Sequence, residues 1–428
     1  MAFDGEQMQP RTGNGAPVLA ARALSAAPLN LGLGRRSDLD WLRVIAFGLL
    51  ILFHVGLVYA PFDWHIHSRH TEGWLREGIL LTGPWRLTLL FFISGAALKL
   101  MSRKFTAGQV LKARLARLVP PALFGILVLV PPQAFIEAVD KGSWHGGFFA
   151  WWAQAFSPAG LAGGVPVNHL WFVLYILVYS MLTTALIASP KLQAALSSAL
   201  GKGLSGLALL IAPILYLTLA RQSLFLHFGI SNHLSSDWYN HAVSLGAFLL
   251  GFLVVGQSGF WRAAIRWRWA ALVTAAVALP TLMVLESTPA TAPEPWLTSL
   301  VFSADQWATI AAILGFGALH LQNRDGPLLR YLTQAVFPCY LAHQTILVCA
   351  VWVIRPLNLP ALVEAPMLIT ATIGGCFAVY EAVRRINLIR PLWGLKPLAR
   401  RAAAPAAVLR PTPAPARKDA PALTAEAA

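Results

Sequence analysis

Long apolar runs separated by short polar stretches fill most of the chain. Ten runs resemble membrane-spanning helices, because about 20 apolar residues are needed to cross a bilayer. They lack the alternation of polar and apolar residues that a membrane β-barrel needs. The predicted spans are residues 41–60, 79–101, 118–136, 168–189, 204–220, 241–257, 269–286, 297–320, 333–354 and 365–384. The pattern predicts an all-α, polytopic integral membrane protein, a bundle of about ten transmembrane helices.

Composition supports this fold class and divides the chain into three parts. Hydrophobic residues make up 57% of the sequence and charged residues only 12%, whereas soluble domains are about 25% charged. Residues 1–36 and 387–428 are rich in Ala, Pro and Arg and have no apolar period. We expect residues 1–36 to be a disordered cytoplasmic tail, residues 37–386 the membrane domain, and residues 387–428 a second cytoplasmic tail.

The cations are distributed unevenly about the predicted spans. Of the 33 Lys and Arg residues, 25 fall on the side of the membrane that holds both ends of the chain. Cytoplasmic segments carry such an excess, so both termini are expected in the cytoplasm, in a multi-pass protein of the bacterial inner (plasma) membrane. The bias accounts for most of the net charge of +15. Lipid is therefore the expected partner, and nucleic acid is not.

The stretch DWLRVIAFGLLILFH, residues 40–54, places ionisable side chains in an apolar helix. Eleven helical steps from Arg43 to His54 turn 1100°, which puts both side chains on one face about 16 Å apart. Asp40 lies near the same stripe. His54 would then sit about halfway across the bilayer core, where an ionisable residue suggests function. The alternative is a neutral histidine that hydrogen-bonds a neighbouring helix.

Two further stretches place small or basic residues at defined positions. LLFFISGAAL puts Ser94 and Gly95 inside the second span, where small side chains let a backbone or ligand approach closely. KARLARLVPP puts Arg114 and Arg117 one helical turn apart, before the predicted third span. Paired guanidinium groups suit phosphate oxygens. The alternative for this pair is ordinary anchoring on the cytoplasmic side.

Other candidate residues lie in the fourth and ninth spans. His169 and Trp171 stand at the outer start of the fourth span. His343 follows Pro338 by five residues in a helix that proline can kink, and kinked helices commonly line cavities. His343 is thus a candidate cavity residue or a packed helix contact. The spacing of the three cysteines indicates no metal site.

The predicted outer loops mix aromatic and polar residues. Residues 61–77, 137–167 and 221–240 contain Trp, Tyr, His, Asn and Asp. Such side chains can stack on a sugar and hydrogen-bond its hydroxyls. They are equally typical of the aromatic belt at a membrane interface, so composition leaves both interpretations open.

Taken in order, these motifs resemble membrane acyltransferase family 3 over residues 37–385. The resemblance rests on the Arg43–His54 spacing, FFISG, Arg114-x-x-Arg117, HLWFVLYILVYS and CYLAHQTIL. It implies an enzyme that moves an acyl group from cytoplasmic acyl-CoA to a carbohydrate hydroxyl across the membrane. The family's essential arginine and histidine correspond to Arg43 and His54, and its cytoplasmic arginine pair to Arg114 and Arg117. A neutral imidazole suits removal of the hydroxyl proton.

The stretches PWRLTLLFFISG, SSDWYNHAVSLGAFLLGFLVVG and CYLAHQTIL are most similar to the branch associated with succinylating osmoregulated periplasmic glucans. This implies succinyl-CoA as the donor substrate, a periplasmic glucan as the acceptor and no bound cofactor. Arg86 belongs to the first stretch. We expect its guanidinium to bind the free carboxylate of the succinyl group, because the two match bidentately. The alternative is that Arg86 extends to the membrane interface.

Two other functions compete with the enzyme. Ten spans with buried His, Arg and Asp could belong to a transporter of a small polar or anionic substrate, but the two halves show no obvious inverted repeat. A structural partner in a glucan synthase complex would leave the buried histidine without a purpose.

The cation bias yields a prediction about topology. A reporter that fluoresces only in the cytoplasm should be active when it is fused after Ala428. Activity of a periplasm-only reporter at the same position would contradict the ten-span orientation.

Overall fold

The computed structural model describes residues 35–287 and 296–398, which are helices joined by turns and loops, without a strand. Most of both predicted tails lies outside the described residues. Ten long helices are present, named α1 to α10 in chain order. They are Ser37–Tyr59, Gly83–Ser102, Ala107–Asp140, Trp171–Ile187, Ala208–Phe228, Trp238–Val254, Ser258–Ser287, Trp296–His320, Pro327–Ile354 and Ala361–Val383.

These helices confirm the predicted fold class. Nine of them, some together with adjoining short turns, are long and apolar enough to cross a membrane. The remaining one, α6, is apolar but has only 17 residues. Each of the ten predicted spans overlaps one helix, so the described part of the chain is a polytopic helical bundle.

The predicted start of α3 was wrong. The helix begins at Ala107, not near residue 118, so Arg114 and Arg117 lie within it. A capping box fixes this start, because Thr106 and Gln109 each accept a hydrogen bond from the other's backbone N–H. Basic residues in the first three turns of α3 interrupt its apolar pattern. The apolar pattern alone therefore did not identify these turns as helical.

Side-chain contacts identify the two ends of the bundle. The ion pair Arg35–Asp325, 3.0 Å long, joins the segment before α1 to the segment after α8. We call this the basic end. At the opposite end, Ser68 donates a hydrogen bond of 2.5 Å to the carboxylate of Glu364. We call this the loop end, because it carries residues 60–74 and 229–237.

Helices α2 and α6 cross with their backbones in contact. A methyl group on Gly95 would overlap the carbonyl oxygen of Phe248, and one on Gly251 would overlap that of Phe92. The close approach predicted at Gly95 is therefore confirmed, and small residues make it possible. This crossing fixes the position of α2, the helix that carries Arg86.

Two ordered segments were not predicted from the sequence. Pro190–Gly203 is a helix at the basic end between α4 and α5. Arg390–Trp393 is a short 3₁₀ helix after α10, in which Trp393 is buried and lies 5.4 Å from the ring of Phe124. The packed part of the chain thus continues past residue 386.

The α2–α6 crossing predicts a difference between glycines. Gly95→Ala should lower the stability of the detergent-solubilised protein by about 2 kcal/mol, because overpacking a well-packed contact typically costs about 1–3 kcal/mol. Gly48→Ala is the matched control, since no atom lies within 4 Å of the added methyl. Thermal unfolding measures both. Equal midpoints for the two variants would contradict the close crossing.

Candidate active site

A partly polar cavity of about 610 Å³ lies toward the loop end of the described bundle. Its walls come from α1, α2, α4, α6, α8 and α9 and from the two loops of the loop end. We call it the histidine cavity. Four predicted site residues line it, namely His54, Arg86, His169 and Trp171.

His54 presents its imidazole to this cavity. Its Nδ1 lies 2.9 Å from the carbonyl oxygen of Leu50, one turn earlier in α1. A carbonyl oxygen only accepts hydrogen bonds, so Nδ1 carries a proton, and in the neutral ring Nε2 keeps its lone pair. A ring nitrogen in this state can remove a proton from a hydroxyl group.

His343 packs between His54 and His169. The ring centroid of His343 lies 5.0 Å from that of His54 and 5.1 Å from that of His169. His343 donates from Nδ1 to the carbonyl oxygen of Tyr340 at 2.6 Å, and its buried Nε2 has no partner among the described residues. The side chain is fully buried. His343 therefore packs behind the residues that line the cavity, in α9, five positions after Pro338.

A short turn before α4 positions His169 and Trp171. It begins at Asn168, whose φ of 39° lies in the left-handed region that asparagine tolerates. The amide of Asn168 donates to Gln133 Oε1 at 3.1 Å, which ties the turn to α3. His169 then bonds through Nε2 to the carbonyl oxygen of Leu341, 3.2 Å away. Both predicted residues are thereby held in the wall of the cavity.

Arg86 lines the cavity and is buried. The residue is only 1% exposed, and its guanidinium carbon lies 3.9 Å from the centroid of the Phe53 ring. Its Nη1 donates to the hydroxyl of Thr82 at 2.6 Å, while Nε has no partner among the described residues. No described carboxylate pairs with it, and no other described Asp, Glu, Lys or Arg lines the cavity. This arrangement suits an anionic group of a ligand.

Asp40 and Arg43 lie in a second cavity, near the basic end. It encloses about 370 Å³ and is also lined by Arg35, Arg36 and Lys104. We call it the arginine cavity. The Arg43 guanidinium pairs with Asp40 at 2.9 Å. Arg43 and His54 share a face of α1, but their separation of about 16 Å places them in different cavities.

Arg114 and Arg117 lie in α3 outside both cavities. Arg114 donates from Nε to the hydroxyl of Ser180 in α4 at 3.0 Å. Arg117 is close enough to Arg114 and Arg43 for their charges to repel one another. Neither member of the pair forms an ion pair within the described chain. The basic end thus gathers positive charge with few counterions.

Ser94 is not brought to either cavity. Its hydroxyl donates to the carbonyl oxygen of Leu90 in the same helix at 2.8 Å. The Ser94 hydroxyl therefore has a hydrogen-bond partner within its own helix. The neighbouring Gly95 makes the close helix contact.

Sequence reasoning missed His65, which also lines the histidine cavity. Its Nδ1 makes a short hydrogen bond with the carboxylate of Glu137, and Nε2 lies 2.7 Å from Gln344 Nε2. Lys141 bonds both Glu137 and Asp63 at 2.8 Å. The bonds to Asp63 and Glu137 raise the pKa of Lys141, so it remains charged beside these carboxylates.

Sequence reasoning also missed the role of Asp237. This fully buried carboxylate accepts hydrogen bonds from the Tyr175 hydroxyl at 2.8 Å and the Asn240 amide at 2.9 Å. It accepts further bonds from the backbone N–H groups of Ser231 and Asn232. Asp237 thereby fixes the loop that forms one rim of the cavity.

A family model described as an acyltransferase domain matches residues 36–381 of the chain. Among curated proteins, the chain is similar to glucans biosynthesis protein C of Escherichia coli strain K12, O1:K1 / APEC and O139:H28 (strain E24377A / ETEC). Each is 27% identical over 151 residues, which cover 35% of this chain and 38% of the relative. The alignment therefore spans well under half of those proteins. No solved structure matches the chain.

Proposed function

Because the chain belongs to the acyltransferase domain family, and is a membrane acyltransferase, we propose that it succinylates a periplasmic glucan with succinyl-CoA as the donor. The observation that carries the proposal is the presence in one cavity of the His54 imidazole, whose Nδ1 donates to a carbonyl oxygen, and of an arginine without an acidic partner among the described residues, Arg86. The imidazole can serve acyl transfer, and the guanidinium can select an acyl group that carries a carboxylate.

The donor approaches from the basic end, which the Lys/Arg bias assigns to the cytoplasm of a bacterial inner membrane. CoA carries several phosphate charges, and the positive charge of this end would attract them. Arg114 and Arg117 bind the phosphates, and Arg43 in the arginine cavity binds the part of the donor that points toward His54. The narrow arm of acyl-CoA that carries the thioester must then extend along α1 to His54. The nucleotide part of CoA stays at the basic end.

The transfer exchanges one bond for another at the acyl carbon. His54 Nε2 takes the proton of the acceptor hydroxyl while the hydroxyl oxygen attacks the thioester carbonyl. The C–S bond breaks, the new C–O ester bond remains, and the imidazolium returns the proton to the departing CoA thiolate. No net proton is consumed or released, and no bound cofactor is involved.

The acceptor enters from the loop end. The loops there supply polar and aromatic side chains to the cavity wall, including Trp64, Asn232 and His233. The similarity to glucans biosynthesis protein C supports a glucan as the acceptor. In the proposed orientation the loop end faces the periplasm, where the acylated glucan would be released.

The first prediction concerns His54. His54→Ala should leave the protein inserted but reduce acyl transfer by about 10² to 10⁴, the usual contribution of a general base. His145→Ala, on an exposed loop residue outside the cavity, is the control. Release of CoA thiol in the presence of a glucan measures turnover. Near-normal turnover of His54→Ala would refute the role.

The second prediction concerns the arginine pair. Changing Arg114 and Arg117 together to Gln should weaken acyl-CoA binding by at least about tenfold, because hydrogen bonds to charged groups contribute about 1.5–3 kcal/mol. Glucan binding should not change. Lys112→Gln, an exposed cation of the same helix, is the control. If donor affinity survives the double change, the pair serves only as an anchor.

The third prediction concerns the choice of acyl group. Arg86→Gln should reduce transfer from succinyl-CoA at least about tenfold more than transfer from acetyl-CoA, because only the succinyl group has a carboxylate to lose its partner. The exposed Arg76→Gln is the matched control. Equal losses with both donors would assign Arg86 to general positioning.

A further inference from the structure

Glu137, His65 and Gln344 form a polar group at the loop end that the proposed chemistry does not use. They come from α3, the loop after α1, and α9. Both His65 and Gln344 line the histidine cavity, and Gln344 is only 3% exposed. The ring of Trp64 connects this group to the reaction centre, with its centroid 6.2 Å from that of His54 and 5.3 Å from that of His65.

The hydrogen bonds of His65 determine its tautomer. The amide nitrogen of Gln344 only donates, so His65 Nε2 accepts its bond. The proton of the neutral ring is then on Nδ1, where it is donated to Glu137. Glu137 is held in turn by Lys141. A carboxylate behind a histidine in this way fixes both the tautomer and the orientation of the ring.

In the wall of the cavity an acceptor, His65 Nε2, is therefore paired directly with a donor, Gln344 Nε2, at 2.7 Å. A carbohydrate hydroxyl both donates and accepts hydrogen bonds. We propose that His65 and Gln344 form an acceptor subsite, in which one hydroxyl of the carbohydrate replaces their direct hydrogen bond as the Gln344 side chain turns aside, donating to His65 and accepting from Gln344. Glu137 acts as a positioning residue through His65. This inference rests on the proposed transfer to a carbohydrate.

The remaining polar groups of the cavity agree with a neutral, hydroxyl-rich ligand. The side-chain oxygens of Gln306 and Asn232 are buried and have no partner among the described residues. Both residues line the cavity, and Gln306 is only 3% exposed. Amide oxygens accept hydrogen bonds, and hydroxyl groups of a ligand could donate to them. The subsite would thus hold one hydroxyl while another lies at His54.

The experiment compares two substitutions of one residue in the purified full-length protein, with succinyl-CoA and a glucose oligosaccharide as substrates. His65→Asn keeps an amide near Nδ1 but removes the acceptor at Nε2, whereas His65→Gln places an amide near Nε2. We expect His65→Asn to raise the KM for the oligosaccharide about tenfold, with kcat nearly unchanged. We expect His65→Gln to recover part of the loss. The exposed His145→Asn is the control.

A second readout separates binding of the acceptor from damage to the site. The KM for succinyl-CoA should be the same in wild type and His65→Asn, because the donor does not contact the subsite. Glu137→Gln should raise the acceptor KM in the same direction, since a neutral amide no longer fixes the tautomer. Gln344→Met removes the donor from another helix and replaces His65→Asn in the test if that variant does not fold.

The outcomes distinguish this inference from the proposed function. Wild-type transfer to the oligosaccharide, with an unchanged acceptor KM in His65→Asn and Gln344→Met, would overturn the subsite alone. A KM increase for the donor together with the acceptor would also overturn it. Absence of transfer by the wild-type protein to any carbohydrate would instead overturn the proposed function.

Discussion

The free-energy cost of ionisable side chains inside a membrane is the constraint on which the rest of the structure depends. His54 and Arg86 lie within apolar helices, where such residues must pair, face a cavity or reach the interface. Both side chains line the histidine cavity, whose wall is formed by several helices and by the loops 60–74 and 229–237. The imidazole of His54 is satisfied on one side by a carbonyl oxygen of its own helix. Arg86 lies against the Phe53 ring and donates a hydrogen bond to Thr82, and its buried Nε has no partner among the described residues.

Helix α1 connects this cavity to the positive charge at the other end of the bundle. Arg43 and His54 share one face, but the helix rise separates them by about 16 Å. The bulky, anionic part of a donor can therefore remain at the basic end while its acyl group reaches the imidazole. The contact of α2 with α6 at Gly95 and Gly251 holds the helix that carries Arg86. The proposed selection of the acyl group at Arg86 would thus depend on packing near the middle of the bundle.

The hydrophobic pattern predicted the ten spans, and helical geometry predicted the shared face of Arg43 and His54. Local patterns were less informative where polar residues belong to a helix, as at the start of α3, which a capping box determines. The contact of His65 with Glu137 joins residues 72 positions apart, and its contact with Gln344 joins residues 279 apart. Neither contact has a local signal, because only helix packing brings these side chains together. Helical geometry placed Arg43 and His54 on one face of α1. Because the cavities are formed by helix packing, the sequence could not show that the two residues line different cavities.

The central claim is that an acyl group passes from a donor at the basic end to an acceptor at the loop end. Proteoliposomes with uniformly oriented protein test it directly, with labelled succinyl-CoA on the side of the basic end and a glucose oligosaccharide on the side of the loop end. The account predicts labelled oligosaccharide on the loop-end side and free CoA thiol on the basic-end side. Labelled product that forms only when both substrates are on the same side would contradict it.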